Sequence, residues 1–399
     1  MSSTSKSIAK LPAAIWALGF VSLLMDVSSE IVHSLLPIYL ITVMGSSASM
    51  IGLIEGIAES TALFFKVFSG VLSDYWQRRK VLAVFGYGLG ALSKPLFALA
   101  PGVGFVLGAR FIDRVGKGIR GAPRDALVAD IAPVNQRGAA FGLRQSLDTV
   151  GAFLGPLVAI ALMVLWSNDF KAVFWVAVIP GMLAVVVLIV GVREPLPNNN
   201  QDQINRRTNP ISLENLKRLS TPYWWVVVLG GAFSLARFSE AFLILKAEQE
   251  GMPLAWIPLV LVTMNIVYAM SAYPTGKLAD GMNHTTLLAI GLLALIVADF
   301  ILALSKDIFG VFIGIAIWGL HMGMTQGLLA AMVADAAPAD LRGTAFGTFN
   351  LISGLMLLMA SVLAGFLWDL LGSSATFSAG IIFCVLTLLL LFGRRKGQL

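Results

Sequence analysis

A succession of long apolar runs constrains this chain more than any other feature. Twelve stretches of predominantly apolar residues, each about 20 residues or longer, alternate with polar connections. A helix rising ~1.5 Å per residue needs that length to cross ~30 Å of hydrocarbon. Only 13% of the 399 residues are charged and 57% are hydrophobic, against about 25% charged in ordinary soluble domains. The chain therefore reads as an all-α, multi-pass membrane protein. Its spans are expected at roughly 12–43, 48–74, 80–100, 103–130, 138–166, 170–192, 221–246, 253–280, 285–305, 308–335, 342–370 and 373–393.

The connections give an orientation. Lys6 and Lys10, Arg78-Arg79-Lys80, Arg137, Arg193 with Arg206-Arg207 and Lys217-Arg218, Arg342, and Arg394-Arg395-Lys396 fall on alternate connections. The connections near 45–50, 101–104 and 372–376 hold no Lys or Arg. By the positive-inside rule both termini are cytoplasmic, with an even number of spans. The net charge of +6 follows this topology and forms no basic tract, so nucleic acid is not an expected partner. The first apolar segment carries Asp26 and Glu30 and has no small-residue cleavage site, so it reads as a span and not as a removed signal. The single cysteine, Cys384, leaves no disulfide framework and no thiolate metal cluster.

An internal repeat divides the chain. Val-Ala-Asp-Ile-Ala-Pro at 128–133 and Arg-Gly-Ala-Ala-Phe-Gly at 137–142 recur as Val-Ala-Asp-Ala-Ala-Pro at 333–338 and Arg-Gly-Thr-Ala-Phe-Gly at 342–347. Gly70-Val71-Leu72-Ser73-Asp74 recurs at nearly the same offset as Gly276-Lys277-Leu278-Ala279-Asp280. Two landmarks sharing one offset indicate a duplication. The expected units are residues 1–192, six helices; 193–220, a cytoplasmic linker rich in Pro and Asn; and 221–399, six further helices. Parallel repeats of this kind bind substrate between the units, near mid-membrane.

At this point the sequence resembles the major facilitator superfamily over essentially its whole length. The connection Gly70 to Lys80 is similar to that family's signature of Gly, Leu, Asp and a basic pair, departing from it at Tyr75 and Gln77. The resemblance implies a conformational latch of Gly70, Asp74, Arg78, Arg79 and Asp130. In it, Asp74 meets a helix N-terminus of the other half and Arg78 meets Asp130. Gly151-Ala-Phe-Leu-Gly155-Pro156 in helix 5 resembles the antiporter motif of the drug/proton branch, with Ala159 in place of its final Gly. Small residues there permit close packing, which is the plainer reading of the same segment. Arg110 stands where the family's helix 4 carries an Arg, but Asp113, Arg114, Lys117, Arg120, Arg124 and Asp125 depart from the general pattern. They look like a branch whose substrates are largely unassigned. The implied fold is twelve transmembrane helices in two pseudo-symmetric six-helix halves, working as a monomer in the cell inner membrane.

Ionisable residues inside spans are costly unless paired or hydrated, so each is a candidate functional residue. At about 100° per residue, Arg110, Arg114, Lys117, Arg120 and Arg124 share a face of helix 4 about 120° wide. Asp26, Glu30 and His33 share a narrow face of helix 1, and Glu55, Glu59 and Lys66 one of helix 2. Lys94 in helix 3 and the i,i+4 pair Arg144 and Asp148 in helix 5 complete the set. These near-balanced charges make a salt-bridge network the bland reading for most of them. Asp26 and Glu30 lie near mid-span, where burial and neighbouring cations act on a carboxylate in opposite senses, so either can exchange a proton near neutral pH. The second half is expected to offer only Arg237, Glu240 and His321 as titratable groups.

The leading expectation is proton-coupled export of a small organic molecule. Asp26, Glu30, His33, Glu59 and Asp113 are the proton-coupling candidates. Arg110, Arg114, Lys117, Arg144, Asp148, Arg237 and Glu240 are the substrate or charge-partner candidates. Transport of an anionic metabolite on Arg114 and Lys117 is one alternative. Export of a divalent metal on Asp26, Glu30 and His33 is another, although no resident metal or cofactor is expected. A non-transporting receptor or scaffold stands in a different class. No H-E-x-x-H, G-x-S-x-G or phosphate-binding loop is present, so an enzyme is not expected.

Overall fold

The computed structural model describes residues 11–76, 78–133, 136–194, 216–338 and 341–393, apart from the side chains of Asp74, Tyr273, residues 276–281 and Gln326. Lys6, Lys10, Arg206, Arg207, Arg394 to Lys396, most of the expected linker and the side chain of Asp74 therefore lie outside the described residues.

The helices before the linker are α1 (Ala13–His33), α2 (Leu36–Thr42), α3 (Ala48–Trp76), α4 (Arg79–Leu99), α5 (Val103–Ile131), α6 (Arg137–Leu165) and α7 (Phe170–Gly191). Those after it are α8 (Thr221–Ala236), α9 (Ala241–Gln249), α10 (Leu259–Gly281), α11 (His284–Leu304), α12 (Ile308–Ala336), α13 (Arg342–Leu371) and α14 (Ser373–Gly393). Local chemistry sets several starts. Asp169, Ser220, Asn283 and Asp307 each accept a bond from a backbone N–H in the first turn of the helix that follows. Gly372, at φ +86°, lets the chain reverse between α13 and α14 without steric penalty.

Among the described residues ten helical stretches are long and apolar enough to cross a membrane, with α1 and α2 counted as one and α8 and α9 as another. The two remaining long helices, α3 and α5, have 29 residues each but carry the charge-bearing faces. Three expected spans are interrupted. The first breaks at Ser34 and Leu35, because Pro37 has no N–H to continue the hydrogen-bond ladder. The seventh opens at residues 237–240, between α8 and α9. The eighth starts as a 3-10 turn, Leu254–Trp256, and continues as α10 after Pro258.

Successive helices run in opposite directions between a linker face, where α7 ends and α8 begins, and a far face. One apolar core joins both helix sets on the far side, from Ile31 to Ile54 and Phe97 to Ala109 in the first set through to most of the second. A separate cluster, Ile15 to Met25 with Ala83 to Ala91, Leu127 to Ala140 and Ala184 to Val192, lies on the linker side of the first set alone. The sets pack along α3 and α13 from the far face past Ser60 and Gly354 to Val67 and Gly347, and most closely at the far face. There α3 crosses α13 so closely that a Cβ on Gly52 or Gly365 would collide with the backbone of Ser361 or Ala48. Asp369 of α13 accepts from Ala48 N at 3.0 Å and Ser49 N at 2.9 Å, capping the start of α3.

Candidate functional site

Between the two apolar clusters of the first set lies a layer of charge. Its positioning rests on glycines: a Cβ on Gly116 would come within 2.6 Å of Gly86 O, and one on Gly118 within 2.6 Å of Phe65 Cβ. These close crossings bring α5 against both α4 and α3, so the basic face of α5 is pressed into acids carried by its neighbours. Arg110 and Glu55, 2% and 1% exposed, form an ion pair at 2.7 Å. Lys94 Nζ lies 2.6 Å from Asp113 Oδ1 and 3.2 Å from Ser29 Oγ. Asp113 also receives Arg110 at 3.9 Å and Arg114 at 3.8 Å, and Arg114 reaches Glu59 at 3.1 Å. His33 stands between two carboxylates, Nδ1 at 3.3 Å from Glu30 and Nε2 at 3.7 Å from Glu55. Only the Glu30 contact is within hydrogen-bond distance, so the ring is oriented by its own helix and faces Glu55 across a longer gap.

Nearer the linker face a second group forms. Arg144 binds Asp148 at 3.0 Å, with Arg124 at 3.1 Å from Asp125 and 3.7 Å from Asp148. Arg120 is buried over the ring of Tyr87, 5.0 Å from its centroid.

Asp26 sits between these groups and belongs to neither. It accepts no hydrogen bond and makes no ion pair among the described residues, while Asp148, Arg120, Lys117 and Glu30 all act on it electrostatically. The glycines of the antiporter-like segment seat it. A Cβ on Gly151 would lie 2.6 Å from Leu23 O and 3.0 Å from Asp26 Cβ, and one on Gly155 2.6 Å from Glu30 Cβ. Gly151 and Gly155 thus hold α6 against the acidic face of α1, and Pro156 continues α6 beyond it. Lys117 is exposed and has no ion-pair partner within reach among the described residues.

The second set contributes Arg237 and Glu240, 3.7 Å apart at the α8–α9 break. Glu240 is close enough to His33, Glu30 and Glu59 to interact with them across the contact between sets. His321 is instead a core residue, its Nδ1 2.8 Å from Gly291 O.

Several expectations are corrected by this geometry. Asp130 is paired with Arg79, not Arg78: Arg78 precedes the first turn of α4 and is exposed, whereas Arg79 is the first helical residue and points along α5, also reaching Ala126 O at 3.3 Å. Gly70 has only ordinary packing against Ala122. The cationic face of α5 is largely consumed, since Arg110 and Arg114 are buried and ion-paired. Asp26, Glu30 and His33 do not form one cluster: Glu30 lies against His33, while Asp26 contacts neither and is acted on chiefly by Asp148 and Arg120. Among the described residues no three His, Cys, Asp or Glu side chains could hold a metal ion. The second set carries more ionisable groups than expected. Lys246, 2% exposed, pairs with Glu250 at 2.6 Å, and Asp299 is wholly buried. Asp299 was in plain view inside an apolar run; it has no charged neighbour in sequence to draw attention to it.

Apolar helices of bilayer length, enclosing a layer of ion-paired and partly exposed charges that faces the seam between two sets, define a multi-pass membrane transporter and not an enzyme. The comparisons agree. The model of the Major Facilitator Superfamily matches residues 18–361, and the chain belongs to that family. An uncharacterised MFS-type transporter of Methanocaldococcus jannaschii is 31% identical over 392 residues, covering 96% of this chain and 95% of its own. The quinolone resistance protein NorA of Staphylococcus aureus is 22% identical over 356 residues, 89% of this chain and 90% of NorA. Among solved structures, an inward-facing bacterial homologue of the human lysosomal transporter Spinster superposes with a TM-score of 0.74 at 14% identity, covering 95% of each chain. That likeness concerns the fold.

Proposed function

We propose that this protein is a secondary active transporter that exports a small organic cation in exchange for protons by alternating access, with Asp26 as the principal proton carrier. One observation carries the reading. Of the seven acids embedded in the first set, Glu55, Glu59, Asp113, Asp125 and Asp148 each have an Arg or Lys partner and Glu30 lies against His33, while Asp26 has no partner within ion-pair or hydrogen-bond reach among the described residues. A mid-span acid without a fixed counter-charge, acted on by cations and acids at once, is free to change protonation state as its surroundings move. Asp113, locked among Lys94, Arg110 and Arg114, lacks that freedom and serves as a structural hub. Glu30, Glu59 and Glu240 are partly exposed carboxylates that act on one another across the two sets. They supply the counter-charge for a cationic cargo, with His33 and the Arg237–Glu240 pair adjusting it.

In this reading the units 1–192 and 221–399 are pseudo-symmetric halves of six spans each, twelve in all, that rock about the seam. The linker face is cytoplasmic, with both termini on that side of the cell inner membrane, and the working unit is a monomer. Gly70, Asp74, Arg78, Arg79 and Asp130 are the candidates for a latch on the linker face, with Arg79 already paired to Asp130. Similarity to a quinolone resistance protein supports an organic cargo and export as its direction. Anion transport is the weaker reading, because Arg114 is spent on Glu59 and Asp113, leaving only Lys117 and the buried Arg120 on the face of α5 without an acidic ion-pair partner among the described residues. Export of a divalent metal has no ligand set to rest on among the described residues.

The test is proton release on binding. Purified protein in weakly buffered solution, titrated with tetraphenylphosphonium, is expected to release protons, and Asp26→Asn to bind the probe without release. Binding with equal release in both would remove Asp26 from the coupling. Stabilisation by organic anions in place of the cation, lost in Lys117→Gln, would favour the anion reading. Movement of neither class of solute would leave the receptor or scaffold reading.

A further inference from the structure

The second helix set contains a buried acid that the central layer does not use. Asp299 of α11 is completely buried, and neither carboxyl oxygen has a hydrogen-bond partner. Its surroundings are small and apolar. A Cβ on Gly380 of α14 would collide with Asp299 Oδ2 and lie 3.2 Å from Phe238 Cε1, so the absence of a side chain at 380 is what makes room for the carboxyl group. The one ionisable neighbour that acts on it among the described residues is Cys384, a turn further along α14. A bare carboxylate in such a wall would be uncompensated, so Asp299 is held as the neutral acid, with an O–H that requires an acceptor.

Two more orphaned groups lie along the same seam, both on α12, which packs against α11. Trp318 is fully buried and packs on Phe238, ring centroids 5.3 Å apart, with its Nε1–H unpartnered. His321, one turn on, gives its Nδ1 proton to Gly291 O at 2.8 Å, so its Nε2 is an acceptor, and nothing donates to it. Gly291 precedes Asp299 by eight residues on α11, a rise of about 12 Å. The charged group acting on His321 is Arg237, which is partly exposed at the α8–α9 break. The groups run in order from an O–H donor, through an N–H donor, to a lone-pair acceptor. Buried polar groups left over in this way are commonly joined by ordered water, each molecule making about three hydrogen bonds.

We propose that a file of buried water joins Asp299, Trp318 and His321, and that Asp299 is a proton-binding site of the second set whose proton exchanges along this file with the partly exposed Arg237–Glu240 break. The site takes a proton and water, and it is separate from the Asp26 site of the first set.

The experiment is infrared spectroscopy of the purified protein in lipid nanodiscs, with no substrate present. The wild type is expected to show the carbonyl stretch of a protonated carboxylic acid that is missing in Asp299→Asn. The band should shift on transfer to D2O within the time of buffer exchange, and at least tenfold more slowly in His321→Leu. A spectrum unchanged by Asp299→Asn, a band that ignores D2O until the protein is unfolded, or exchange unaffected by His321→Leu would each overturn the proposal. Should Asp299→Asn fail to fold, Gly380→Ala must displace the same band, because its methyl group presses on Oδ2; an unmoved band overturns the assignment.

Discussion

Removing one member of a buried ion pair leaves the other charge without compensation, which typically destabilises a protein by about 3–5 kcal/mol, whereas removing both is often close to neutral. Arg110 and Glu55, 2.7 Å apart, meet that description. Arg110→Met is therefore expected to lower the melting temperature sharply, and Arg110→Met with Glu55→Met to regain more than half of the loss. A double-mutant cycle checks this, and additive losses would mean that the pair is not coupled. Asp26→Asn is expected to behave differently, with little change in melting temperature, because no partner is stranded. The basic face of α5 and the acids opposite it were legible in the sequence, since helical geometry alone sets which residues share a face. What spacing could not show is which acid is left over. That depends on three helices at once, and on glycines at 86, 116 and 118 that fix how closely α4, α5 and α3 approach.

At the scale of elements, two contacts carry mechanical predictions. The α1–α6 seam depends on Gly151 and Gly155, and a branched side chain at 155 would press on Glu30 Cβ and Val27 O. Overpacking of this kind costs about 1–3 kcal/mol. Gly155→Val is expected to lower the melting temperature and to displace both acids of α1, with transport lost; unchanged transport would show that the seam is packing alone. At the far face, Asp369 holds the first turn of α3 through two backbone N–H groups. Loss of such a cap is worth about 1 kcal/mol, roughly a fivefold change in an equilibrium. Asp369→Ala should thus raise maleimide labelling of a cysteine placed at Ile57 about fivefold when reagent is added from the far side, with Cys384 shielded by its burial. No increase would mean that the cap does not hold the far face shut. Neither contact could be derived from the sequence. The antiporter-like segment announced itself as small residues, but its partners, Asp26 and Glu30, lie four spans earlier in the chain, on α1. The helix breaks at Ser34 and at 237–240 fall beside Pro37 and on Arg237 to Glu240, signals present in the sequence that a reading by hydropathy passed over because it registers span length and not hydrogen bonding.

At the scale of the whole molecule, the sequence disclosed the most. Apolar run length, alternation of basic connections and a duplication read off two landmarks all pointed to the fold that the family match establishes. The division of the apolar core was not legible, because it depends on how the helices pack: one cluster spans both sets, and a second lies on the linker side of the first set alone. The charged layer lies where that division occurs, so a change of state that joined the linker side would alter the setting of Asp26 while leaving its covalent neighbours unchanged. That is how alternating access would be coupled to a proton. The most direct measurement is uptake of tetraphenylphosphonium into liposomes holding the purified protein, with a pH gradient imposed and internal pH followed at the same time. The account predicts concentrative uptake against an opposing proton flux in the wild type, and in Asp26→Asn only equilibration of the probe with no proton movement. Concentrative uptake that survives in Asp26→Asn, or a pH gradient that drives no movement of the cation in the wild type, would contradict it.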